Sequence, residues 1–164
     1  MRPETAPVPL HFDASCVALG VKLESWKDAV RYVGDMLSER GFATPAYSDH
    51  MIQVIEQFGP YIVIAPGIAL VHARPGRDTL QNGMAAIVIP EGVDFGHSRF
   101  DPVRLVLGVA LTRSEDHLTV VASIANAVDQ GGVLERALAT TDPQEFVDRF
   151  VARHPTLDVA SASN

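Results

Sequence analysis

The chain carries one cysteine in 164 residues, Cys16. A single thiol closes no intramolecular disulfide and assembles no Cys-based zinc site. Followed by Val17, Ala18 and Leu19, it is expected to be a buried thiol. Basic residues are few: 13 Lys plus Arg stand against 20 Asp plus Glu, a formal net charge of -7. Binding driven by phosphate neutralisation needs a basic surface, so no nucleic-acid partner is expected. Long apolar runs are missing too. A bilayer span needs about 18 or more apolar residues, and the longest stretch, Tyr61 to Val71, is broken by Pro66 and Gly67. Membrane insertion is therefore not expected. The opening Met1-Arg2-Pro3-Glu4 lacks the charged-then-apolar order of a signal peptide, which points to a cytoplasmic protein. Nucleotide-cradling signatures (Walker, G-x-G-x-x-G) are absent, and no serine sits in G-x-S-x-G.

What remains is a composition of 47% hydrophobic and 20% charged residues, ordinary for a globular protein. The length suits one domain, 1–164, with about 10–154 folded and 1–9 and 155–164 as mobile arms. Helical periodicity over Glu24 to Arg40 is followed by a stop at Gly41; a second helix is expected from Pro45 to Phe58, ended by Gly59-Pro60. Tyr61–Ile64 and Ile68–Ala73 read as short strands. Gly83–Ile89 and Val103–Leu111 read as strands buried on both faces, joined by a loop from Asp94 to Pro102. Helices follow at His117–Val128, with Ser114 as cap, at Val133–Ala139, and after an Asp142 cap from Pro143 through Val151. This order implies an α/β sandwich, a mixed sheet flanked by helices.

The chemical resource is six histidines: His11, His50, His72, His97, His117 and His154. No two have the i, i+4 spacing of a helical zinc pair, so no metal site is expected. His11 falls in the N-terminal arm, His154 at the last helix end, and His50 in a helix among polar neighbours. His97 lies in an exposed loop, where a secondary role is conceivable. His72 is different. It closes an apolar strand, a setting that limits side-chain freedom, and Arg74 and Arg77 follow as candidates to offset phosphoryl charge. His117 falls in a first helical turn, where free N–H groups favour an anion and a neutral imidazole.

The segment from Gly59-Pro60-Tyr61 through Leu70-Val71-His72-Ala73-Arg74-Pro75 closely resembles the active-site segment of enzyme IIA of the mannitol/fructose/ascorbate class. These are components of the bacterial phosphoenolpyruvate-dependent sugar phosphotransferase system. Gly59-Pro60-Tyr61 looks most like the ascorbate-type branch. The resemblance continues through Phe95, Asp101-Pro102-Val103 and Asp116-His117-Leu118, and covers roughly Lys22 to Phe150. It implies a phosphocarrier that takes a phosphoryl group from phospho-HPr onto His72, as tele-phosphohistidine. The group then passes to enzyme IIB, with the IIC permease as an indirect partner. It implies that His117 supports the phosphoryl oxygens and offers Arg74 as a further contact. No cofactor is implied, and the oligomeric state stays open, a dimer among the options. Two positions depart from the family pattern: Val71 stands where proline usually precedes the acceptor, and Phe100 where asparagine is common. A regulatory phospho-acceptor of the same fold, or a relative binding a ligand or metal without transfer, are the alternatives.

Overall fold

A computed structural model describes residues 8–128, 132–153 and 157–160 of the chain. Its elements in order are β1 (Val8–His11), β2 (Val17–Ala18), α1 (Trp26–Glu39), α2 (Tyr47–Phe58), β3 (Val63–Ala65), β4 (Ile68–Val71), β5 (Gly83–Val93) and β6 (Val103–Ala110). Helices α3 (Ser114–Val128), α4 (Val133–Ala139) and α5 (Pro143–Arg153) follow, then strand β7 (Leu157–Ala160). The sheet runs β3-β4-β6-β5-β1-β7, with β2 also pairing with β5. It is mixed: β4 is parallel to β6, β6 antiparallel to β5, and β1 parallel to both β5 and β7.

The apolar runs find the places their composition demands. All four residues of β4 are buried, as are the first seven of β5 and all of β6 except half-buried Arg104. Side chains alternate across a strand, so unbroken burial means both faces are covered. Helix α1 lies over β5 and β6 and beside α2; α4 also contacts β5 and β6, while α3 lies against β3 and β4. Each fully buried Val, Leu or Ile in such a core stabilises by about 1.5–3 kcal/mol relative to exposure.

Local signals set the helix ends. The Ser25 hydroxyl accepts the Asp28 N–H at 3.1 Å to start α1. At its end Gly41, with φ of 81°, donates to Ser38 O, and Phe42 donates to Leu37 O, a double bond pattern that needs a left-handed residue. Asp142 caps α5 as expected, its carboxylate accepting the Gln144 N–H at 3.0 Å. Cys16 is fully buried, and burial pushes its thiol pKa up.

Several boundaries differ from the sequence expectation. Strand β3 begins at Val63, because a turn closed by Val63 N–H to Pro60 O holds the preceding residues. Strand β4 stops at Val71, leaving His72 just beyond the ladder. Strand β5 runs on to Val93, past a register shift between Val88 and Val93. Helix α3 already includes Ser114, so that residue is not its cap. At the ends, Val8–His11 and Leu157–Ala160 are parallel strands, where arms had been expected. His154 lies outside the described residues.

Candidate active site

Strands β4 and β6 run parallel, with Val71 opposite Gly108 as their last pair. Their carboxyl ends therefore open on the same edge of the sheet. His72 leaves the end of β4, and α3, which carries His117, follows β6 after three residues. This topology brings two histidines 45 positions apart to a ring-centroid separation of 5.1 Å, with planes inclined at 58°. A cleft lined by His72, Ala73, Arg74 and His117 opens there, walled by His50, Val54, Gln57, Phe58 and Tyr61.

The His72 ring is half-buried, and its Nδ1 lies 2.9 Å from the Leu70 carbonyl oxygen. A carbonyl only accepts, so this contact requires the proton on Nδ1 and leaves the lone pair on Nε2. Burial lowers the His72 pKa; the Leu70 carbonyl opposes this and His117 adds to it. At neutral pH these effects favour the uncharged ring, with its free lone pair on Nε2. The His117 pKa is also lowered, first by burial and then by the charge of Arg74. Nδ1 of His117 is buried with no hydrogen-bond partner among the described residues. A buried polar atom left unpaired costs free energy. Among the described residues no group of three or more His, Cys, Asp or Glu could hold a metal ion.

The structure brings His72, His117 and Arg74 to one cleft, and it leaves Arg77 outside the lining. His97 is elsewhere. Its Nδ1 accepts the N–H groups of Arg99 and Phe100, and its ring stacks on Phe100 at 4.6 Å. The neighbouring carboxylate of Asp101 accepts N–H groups of Phe95, Gly96 and His97. This loop is bonded through Phe100 O to Gly67, at the start of β4, the opposite end from His72. His97 therefore organises its own loop, and the secondary role is not at this cleft.

The cleft wall contributed by α2 was not foreseen. His50, Val54, Gln57 and Phe58 are spaced i, i+4, i+7 and i+8, so they share one helical face. That spacing, directly ahead of the Gly59-Pro60-Tyr61 segment, was the available signal. Phe58 and Tyr61 are more than half exposed, so the mouth of the cleft is apolar as well as cationic.

The chain is similar to known proteins over most of its length. The family described as phosphoenolpyruvate-dependent sugar phosphotransferase system, EIIA 2, matches residues 10–152. The "Ascorbate-specific PTS system EIIA component" of Shigella boydii serotype 4 is 30% identical over 133 residues, covering 80% of this chain and 86% of that protein. The crystal structure of IIA mannitol from Escherichia coli superposes with a TM-score of 0.74 at 30% identity, covering 85% of this chain and 98% of that one. The complex of enzyme IIAMTL and phosphorylated enzyme IIBMTL from Escherichia coli gives a TM-score of 0.72 at 30% identity, over 87% and 99%. With the matched segment running from β1 through most of α5 and including both cleft histidines, the chain belongs to the EIIA type 2 family of the phosphoenolpyruvate-dependent sugar phosphotransferase system.

Proposed function

We propose that the chain is a single-domain cytoplasmic phosphocarrier that accepts a phosphoryl group from phospho-HPr on Nε2 of His72. It passes the group to an enzyme IIB component serving uptake of a sugar of the ascorbate type. The observation that carries this reading is the tie of His72 Nδ1 to Leu70 O, which leaves a neutral Nε2 beside His117 in an open cleft. The similarity to ascorbate-specific components supports the substrate class, and the solved IIA–IIB complex supports the second step.

In the first step the Nε2 lone pair forms a bond to phosphorus as the donor's bond to phosphorus breaks, its electrons leaving with the donor. The His72 ring gains positive charge, which the Leu70 carbonyl stabilises through Nδ1–H. His117 and Arg74 supply a neutral donor and a cation for the phosphoryl oxygens, so catalysis is positioning plus electrostatic stabilisation. Onward transfer reverses these events: the N–P bond breaks as the IIB nucleophile attacks, and the electron pair returns to Nε2. Transfer needs no metal of this chain's own.

The test is phosphorylation with enzyme I, HPr and phosphoenolpyruvate, followed by mapping of the acid-labile group. Wild type should carry the label on His72, and His72→Ala should carry none. Full labelling of His72→Ala would refute the assignment.

A further inference from the structure

The ladder between β4 and β6 ends at Val71 and Gly108. Just beyond that pair, Ala73, two residues past Val71, and Val109, one residue past Gly108, are joined by a side chain from another element. Tyr47, in the first turn of α2, is fully buried. Its hydroxyl accepts the Ala73 N–H at 3.0 Å and donates to Val109 O at 2.8 Å. A phenol has one proton, so Ala73 O at 3.3 Å is only an alternative acceptor. The result is a bridge, Ala73 N–H to Oη–H to Val109 O, that continues the sheet's hydrogen bonding where the ladder has stopped. Burial raises the Tyr47 pKa, which keeps the hydroxyl protonated and able to donate.

We propose that Tyr47 is a positioning residue for phosphoryl transfer at His72. His72 stands between two anchors. On one side its ring is tied to Leu70 O; on the other, the peptide of the next residue is tied to the Tyr47 hydroxyl. Neither anchor reaches the reacting atom, and together they fix where Nε2 projects. Tyr47 shares its helix with His50, Val54 and Phe58 of the cleft wall. One helix therefore sets both the wall that receives a partner and the path of the backbone that presents the nucleophile. This inference rests on the reading of His72 as the acceptor.

The experiment compares wild type, Tyr47→Phe and Val17→Ala. The last substitution lowers stability from β2, on the far side of β5 from β4 and β6. Ring 15N NMR of the unphosphorylated proteins reports the His72 tautomer without any transfer. Single-turnover phosphorylation by phospho-HPr gives a limiting rate and a half-saturating concentration. In Tyr47→Phe the Nδ1–H tautomer of His72 should lose population. The limiting rate should fall by up to about a hundredfold, the loss that a misplacement of about 1 Å can cause, with half-saturation unchanged. Val17→Ala should keep both tautomer and rate. A wild-type tautomer in Tyr47→Phe, or an equal loss of rate in Val17→Ala, would overturn the proposal. Should Tyr47→Phe not fold, amide exchange in the wild type decides. The Ala73 N–H should be protected although it lies beyond the ladder, and exchange at the rate of an exposed amide would overturn the bridge. If wild-type His72 accepts no phosphate, the functional reading fails, while the tautomer and exchange measurements still judge the anchor.

Discussion

A nucleophilic imidazole is useful only while uncharged, and burial acts on both cleft histidines in that direction. A depressed pKa means that the ring stays neutral to lower pH than the ordinary value of 6.5. The rate of phosphorylation should therefore be flat as pH falls through neutrality and decline only below 6.5. A loss already half complete at 6.5 would contradict this. The same shifts bear on stability. Below 6.5 the unfolded chain binds protons that the folded rings refuse, so these two groups cost stability as pH falls toward their folded values. His117 has a separate test. A hydrogen bond to a charged group is worth roughly 1.5–3 kcal/mol, or about ten- to a hundredfold in rate if made in the transition state. His117→Ala should fold and pass phosphate to IIB slower by about that factor. His117→Gln, which keeps an N–H, should recover part of it. A wild-type rate for His117→Ala in both directions would reduce it to a helix-start residue.

Helices α1 and α2 pack at the distance Gly34 allows. A Cβ at that position would lie 2.0 Å from the Ser48 hydroxyl oxygen and 3.0 Å from its Cβ. Helix propensity alone would favour Gly34→Ala by up to about 1 kcal/mol. Overpacking costs about 1–3 kcal/mol, and in so close a contact it should win. Denaturant unfolding should show Gly34→Ala less stable than wild type, and less so in a Ser48→Ala background, where the nearest atom is gone. Equal losses in both backgrounds would place the strain elsewhere. This contact also shows what could be read from sequence and what could not. The periodicity of α1 and α2 and the double-sided burial of β5 and β6 were legible, because each is a local pattern of apolar side chains. The spacing of α1 from α2 was not, since Gly34 and Ser48 meet only in three dimensions. The strand-end setting of His72 was legible through its neighbours in sequence. Tyr47 was not, because its partners Ala73 and Val109 lie 26 and 62 residues away. Nor were β1 and β7, whose parallel pairing joins the two ends of the chain.

Across the whole molecule, the cleft and the β1–β7 pair occupy opposite sides of the sheet. Strand β4 is next to one edge and β7 forms the other, with β6, β5 and β1 between them. Strand β7 pairs with β1 over four register positions, Val8 with Leu157 through His11 with Ala160. Strand β1 in turn meets β5 at His11 and Gly83, a position where Phe42 packs so close that a Cβ would lie 2.2 Å from its ring. Removing β7 therefore uncovers an edge and loosens a pair of strands without touching the anchors of His72. A chain ending at Arg153 should unfold at lower denaturant than the full chain and, with an open strand edge, should associate more readily at high concentration. Measured where both chains are folded, its phosphorylation at His72 should run at the full-length rate. A transfer rate that falls along with the stability, under conditions where the shortened chain is still folded, would show that the far edge of the sheet helps to hold the cleft.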